Sequence, residues 1–111
     1  VVWRIRDRTT FEELRRNGRR ARRGPILVVY LPGPADRPPR VAYAVGRRVG
    51  RAVVRNRVRR RLRAVVGSLA PELAPGAYLV SAGPEAVGMG FEELTRTVRA
   101  AIDNACERVG S

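Results

Sequence analysis

Histidine and lysine are absent from this chain of 111 residues, and cysteine occurs once, at Cys106. The missing imidazole removes the commonest acid–base catalyst and metal ligand. A single thiol rules out a Cys/His zinc site, a Cys–His nucleophile pair and an intramolecular disulfide. Long apolar runs are missing as well. Nothing approaches the ~20 residues that span a bilayer, and charged residues precede the first apolar run, so neither a membrane span nor a secretory signal is expected and the cytoplasm is the expected compartment. Carboxylates are scarce, 10 in all. Glu12 with Glu13 and Glu92 with Glu93 are adjacent on helices, where neighbours point apart, which supplies a two-metal nuclease centre poorly. Residues 83–90 contain no phosphate-loop lysine, and Gly46 with Gly50 does not fit a dinucleotide fingerprint.

What is abundant is arginine. All 23 basic residues are arginine, giving a formal charge of +13. Genome composition accounts for so complete a replacement of lysine better than selection at individual sites, although guanidinium groups do suit bidentate phosphate contacts. The charge has a location: residues 1–46 carry 11 arginines against 4 acids, residues 47–71 carry 9 against none, and residues 72–111 carry 3 against 6. The block from Arg47 to Arg63 therefore needs a polyanion to neutralise it, since self-repulsion would otherwise be tolerated for nothing. Apolar residues recur through it at helical spacing. On a wheel starting at Val54, residues Val58, Leu62 and Val65 fall within about 80°, while Arg59, Arg63, Asn56 and Arg60 fall between about 140° and 240°. One side packs and the other displays guanidinium groups. Arg61 lands beside the apolar stripe and must snorkel from its edge. RNA suits such a surface better than DNA, because a groove-reading helix would expose neutral base-reading groups and this one offers mainly arginine and Asn56.

The remainder reads as one domain over residues 1–111, with 1–9 and 110–111 expected to be flexible. Thr10 and Glu13 match a capping box for a helix that places Phe11 and Leu14 on one face and stops at Asn17-Gly18. Pro25 to Leu31 is a β-prone run, residues 32–39 with four prolines form a stiff loop, and Arg40 to Val45 is a second strand, predicting an antiparallel pair across 26–45. Gly46 to Gly50 reads as a turn or a bulged continuation. The basic helix follows from about Val53 and ends at Gly67 or Ser68. Ala77 to Ala82 is a further strand, and Phe91, Leu94, Val98, Ala101, Ile102 and Ala105 mark the packed face of a last helix. The expected class is α+β, a small α/β sandwich in the order α-β-β-β-α-β-α.

Val53-Val54-Arg55-Asn56-Arg57-Val58-Arg59-Arg60, preceded by Gly50-Arg51-Ala52, resembles the arginine-rich signature of the bacterial ribonuclease P protein family. The order of elements agrees from about Thr10 to Val109. That resemblance implies a fold like the second domain of ribosomal protein S5, with a left-handed β-α-β crossover. It also implies a non-catalytic subunit of an RNA-based endoribonuclease. Its partners are the catalytic RNA, in a 1:1 complex, and precursor tRNA, whose 5′ leader is removed with Mg2+ held mainly by RNA and substrate. Carried over by position, Arg47, Arg48, Arg51, Arg55, Asn56, Arg57, Arg59, Arg60 and Arg63 would face RNA, and Phe11, Arg15, Val29 and Tyr43 would line the leader cleft. Arg15 stands where many relatives carry a second aromatic, which makes leader contact here more electrostatic. A ribosomal structural protein is the alternative, and a DNA-binding regulator a third reading.

Overall fold

A computed structural model describes residues 2–110. Val1 and Ser111, two of the terminal residues expected to be flexible, lie outside the described residues. Eight elements follow in order: β1 (Trp3–Arg4), α1 (Arg8–Asn17), β2 (Arg19–Arg23), β3 (Ile26–Pro32), β4 (Arg40–Val45), α2 (Ala52–Leu69), β5 (Gly76–Ala82) and α3 (Phe91–Gly110). The expected α-β-β-β-α-β-α order is present, with β1 added in front. Residues 3–9 hold β1, the buried Ile5 and the start of α1.

The strands form one sheet in the order β1-β4-β5-β3-β2. β3 and β4 are not the antiparallel pair expected across 26–45. β5 lies between them, antiparallel to β3 and parallel to β4. The reason lies in β5 itself, which is apolar on both faces: Tyr78, Val80 and Ala82 pack on one side and Ala77 and Leu79 on the other. A strand of that kind belongs at the centre of a sheet. The proline-rich connector carries the chain past the start of β5, where the Gly33 amide donates to the Pro75 carbonyl at 3.3 Å. Gly76 makes the crossing possible. Its φ is +143°, and a Cβ there would lie 2.3 Å from the Leu31 carbonyl oxygen. Gly76→Ala should therefore lower thermal stability sharply, by ~1–3 kcal/mol from backbone strain alone, and a melting curve superimposable on wild type would refute the close crossing.

The third strand of the predicted trio is Arg19–Arg23, paired with β3 through a tight turn in which Gly24 adopts φ +55°. Residues 46–50 are no strand but a 3₁₀ turn over Arg47–Val49. β4 and β5 run parallel and α2 joins them.

Alternation gives the sheet two faces. Val28, Val41, Val45, Tyr78 and Val80 meet Val58, Leu62, Val65, Val66 and Leu69 of α2 together with Leu94, Val98, Ala101, Ile102 and Ala105 of α3. Phe91, expected among them, is 48% exposed. It opens the helix one turn before Leu94, the first side chain to reach the core. α2 also runs past its expected stop. The Ser68 hydroxyl donates to the Val65 carbonyl at 2.6 Å, Leu69 is buried, and a 3₁₀ turn over Ala70–Glu72 accommodates Pro71. Burying Leu69 extends the apolar stripe and outweighs the weak helix propensity of glycine and serine.

The other face is covered by α1, which buries Leu14 against Val29, Ala42 and Ala77, with Phe11, Leu31 and Leu79 at the margin. Thr10 is not the cap. Asp7 is, its Oδ2 accepting the Thr10 amide at 2.9 Å and the Thr10 hydroxyl at 2.5 Å, while Oδ1 accepts from Arg40 at 3.2 Å. Aspartate competes better because a charged acceptor strengthens both bonds. Those Thr10 bonds foremost, with Arg40 assisting, hold the Asp7 carboxyl below its ordinary pKa. A depressed carboxylate contributes stability above its unfolded pKa and loses it as pH falls through the folded value, so this cap should weaken below about pH 4. Asp7→Asn, which keeps an acceptor oxygen, should shrink the stability difference between pH 7 and pH 3 measured in urea. An unchanged difference would exclude the cap from acid sensitivity. At the far end the Gly18 amide closes α1 on the Leu14 carbonyl at 2.9 Å, as the Asn17-Gly18 stop predicts.

Candidate nucleic-acid interface

The arginine block folds into a turn and a helix with one anchored side. Val49 is buried and pins the 3₁₀ turn, and Gly50, at φ +149°, lets the backbone swing directly into α2. Arg47, Arg48 and Arg51 are left exposed around the first turn of α2, where no side chain caps the helix and no acid is present. Guanidinium groups crowd the positive end of a helix dipole there, which is unfavourable in the free protein and favours a phosphate.

Along α2, Asn56, Arg57, Arg60 and Arg63 are exposed, whereas Arg55 and Arg59 are half-buried. Arg59 is held by the fold, one guanidinium nitrogen donating to the Asn56 Oδ1 at 3.0 Å and the other to the Val45 carbonyl at 3.4 Å. The Asn56 carbonyl is thus occupied, and its amide NH2 remains the group for a partner. Arg55 is the sequence-predicted contact that fits least well. Its Nε is buried with no hydrogen-bond partner. At about 100° on the wheel it lies within the apolar stripe, an angle at which only its tip can reach solvent. Arg61 does snorkel from the edge, donating to the Met89 carbonyl. Among the described residues the ion pairs are Asp7–Arg40 and Glu72–Arg99, so no arginine of 47–63 is neutralised by an acid.

A hollow of about 590 Å³ opens where α2 meets the free edge of β4, beyond the end of the two-residue β1. Its walls are Asn56, Arg59, Arg60 and Arg63 on one side and Phe11 with Ile5 on the other, with Tyr43 and Ala42 of β4 between them. The hollow wraps round the sheet edge: Ala42 belongs to the α1 face and Tyr43 to the α2 face. The Arg63 guanidinium carbon sits 5.8 Å from the centre of the Tyr43 ring. Burial of that ring pushes the phenol pKa up, partly countered by Arg63, so the hydroxyl stays a neutral donor. Phe11 also lines a separate hollow at the start of α1 with Arg6, Arg8, Glu12 and Arg15.

Of the four residues assigned to the cleft, Phe11, Arg15 and Tyr43 therefore line one or other of these hollows, and Val29 does not. It is 4% exposed and packed in the core beneath α1. Two further groups escape a reading of the sequence. Arg4 of β1 lines the hollow beside Tyr43. Arg22 pairs across to Leu27, Ser81 and Ala44 in one row of the sheet face that α1 shares. Period-2 alternation around Ala21 in Arg19–Arg23 is the signal for Arg22; nothing local distinguishes Arg4.

Among the described residues no three His, Cys, Asp or Glu side chains come together as a metal site, and no helix is long and apolar enough to cross a membrane. Two of the acids serve the fold, Asp7 as a cap and Glu72 tied to Arg99 at 2.9 and 3.1 Å.

This architecture is a small α+β sandwich with an arginine-rich helix at one sheet edge. The same fold occurs in the Staphylococcus aureus RNase P protein, which is 18% identical, with a TM-score of 0.82 over 93% of this chain and 94% of that one. A mutant of that protein with defective mRNA degradation activity superposes with a TM-score of 0.84, over 93% and 87% of the two chains at 18% identity. The Thermotoga maritima RNase P protein gives 0.79 over 91% and 96% at 17% identity. No curated protein matches the chain by sequence. A sequence model of the family described as ribonuclease P matches residues 2–106, and the chain belongs to that family.

Proposed function

We propose that this protein binds the catalytic RNA of ribonuclease P through the 47–63 surface and assists removal of the 5′ leader from precursor tRNA. The observation that supports this most directly is the face of α2, where exposed Arg57, Arg60 and Arg63 stand with no acidic partner beside a hollow that reaches Phe11. Phosphates supply what that face lacks, and the fixed spacing of its guanidinium groups on a helix suits a structured RNA backbone. The leader would thread past Phe11 and Arg15 and over the sheet row ending in Arg22, contacts that are mainly electrostatic with one aromatic ring. Hydrolysis and Mg2+ belong to the RNA and its substrate. The protein acts as one copy per RNA, in the cytoplasm, raising affinity for precursor over product and lowering the Mg2+ requirement.

The test is cleavage of precursor tRNA by a bacterial catalytic RNA at limiting Mg2+, with and without the protein. Acceleration that grows with leader length is the expected result. Equal rates in both reactions would overturn the reading and favour a ribosomal structural role. Duplex DNA binding with sequence preference would favour a regulator instead.

A further inference from the structure

A second hollow of about 440 Å³ adjoins the first and shares Arg4, Val41, Tyr43 and Arg63 with it, but it continues along α2 beyond the arginine signature to Gly67 and Ala70. It lies on the α2 side of the sheet, because Val41 and Tyr43 alternate with Ala42, which faces α1. Arg4 is held at its rim by parallel pairing with Val41. Among the described residues no carboxylate lines it. Gly67 keeps one wall low: a Cβ built there meets nothing within 4 Å, so a side chain would project into open space. Glycine inside a helix is unfavourable relative to alanine, and at this position no close contact requires it.

We propose that this hollow is a subsite for one unpaired nucleotide of the RNA bound to α2, its base stacked on the Tyr43 ring and its flanking phosphates met by Arg4 and Arg63. The inference rests on the ribonuclease P reading and adds a site to it. Three properties point to a base rather than to phosphate alone. Tyr43 offers a half-buried planar apolar surface, an exposed guanidinium already lies over that ring, and the volume falls within the range of about 300–1,000 Å³ usual for small-ligand sites. Unpaired bases stack on aromatic and guanidinium planes, whereas bases within a duplex cannot be offered to a pocket. The position chooses the source. Phe11 and Arg15 stand on the α1 side, while this hollow continues the flank of α2 that carries Asn56, Arg60 and Arg63. The nucleotide therefore belongs to the catalytic RNA and not to the leader.

The experiment measures binding of the full chain to catalytic RNA at several salt concentrations, and separately the dependence of precursor affinity on leader length. Tyr43→Ala should weaken binding of the catalytic RNA about tenfold with an unchanged salt slope, because a stacked base releases no counterions. Tyr43→Phe, which keeps the ring, should restore affinity to within about twofold. Gly67→Leu fills the hollow without touching the core, so it should weaken binding similarly even if Tyr43→Ala folds poorly. One nucleotide of the catalytic RNA should gain reactivity to base-modifying reagents in both weakened complexes. Wild-type affinity in Gly67→Leu and Tyr43→Ala would overturn the subsite, as would a Tyr43→Phe variant as weak as alanine. So would a Tyr43→Ala effect confined to leader-length dependence, which would return the ring to the leader path. Failure of the wild-type chain to bind catalytic RNA at all would instead overturn the ribonuclease P reading.

Discussion

Val58→Asp should destabilise the fold by ~3 kcal/mol or more, reducing the urea midpoint and leaving much of the chain unfolded at physiological temperature. Val58 is 2% exposed and sits in the core formed by α2, α3 and the sheet. Its neighbours in the core cluster are apolar, so an aspartate there would lose most of its hydration, and a carboxylate in that position either stays charged at great cost or takes up a proton. A typical domain has only about 5–15 kcal/mol to lose. Val58 lies in sequence between Arg57 and Arg59, two residues of the proposed RNA surface, yet the predicted consequence is loss of structure first and of binding only as a result. Circular dichroism and urea denaturation, done before any RNA assay, separate the two. A variant that melts like wild type would contradict the packing of α2 on the sheet.

The opposite behaviour is expected of Arg57, Arg60 and Arg63 replaced together by alanine. All three are exposed and none contributes to the core, so the urea midpoint should stay within about 0.5 kcal/mol of wild type in stability. Affinity for the catalytic RNA should fall about a hundredfold or more near 0.1 M salt. The slope of log affinity against log salt should become shallower by about 2–3, one counterion contribution for each phosphate that no longer meets a guanidinium group. A large drop in affinity with the slope intact would mean that these side chains read bases or RNA shape rather than phosphates. Arg55→Ala and Arg59→Ala are less clean, because Arg59 also bonds Asn56 and Val45 and the Arg55 Nε is sealed from solvent. Arg59→Ala should cost stability along with affinity, whereas Arg55→Ala removes a buried donor that already lacks a partner.

Much of the fold is legible wherever a single element decides the matter. The 3.6-residue spacing of Val58, Leu62 and Val65 announces a helix with one buried side, and the structure buries those three residues. The strand Arg40–Val45 is bounded as predicted, and Gly18 ends α1. Expectation and structure part where two segments compete for one place. Thr10 and Asp7 both could cap α1, and the charged carboxylate of Asp7 prevails by accepting both the Thr10 amide and the Thr10 hydroxyl. Adjacency in sequence makes β4 the expected neighbour of β3, whereas β5, from much later in the chain, is apolar on both faces and takes the central position.

The candidate site shows the same division. The concentration of arginine without acids in residues 47–63 is a property of composition, so it is readable in full. Which guanidinium groups are free is not, since Arg59 is claimed by a backbone carbonyl 14 residues earlier and Arg61 by one 28 residues later. Alternation suggests which neighbours of Val29 share its face, but that α1 lies over Val29 while Tyr43 looks toward Arg63 depends on how helices dock on the sheet.

The amino-acid sequence alone determined the charge, its placement and the amphipathic period of the central helix, because these are local quantities that no folding can alter. Tertiary structure alone decided strand order and the two hollows around Tyr43. Each of these arises where distant segments exclude one another from the same space, and that contest is settled only by packing.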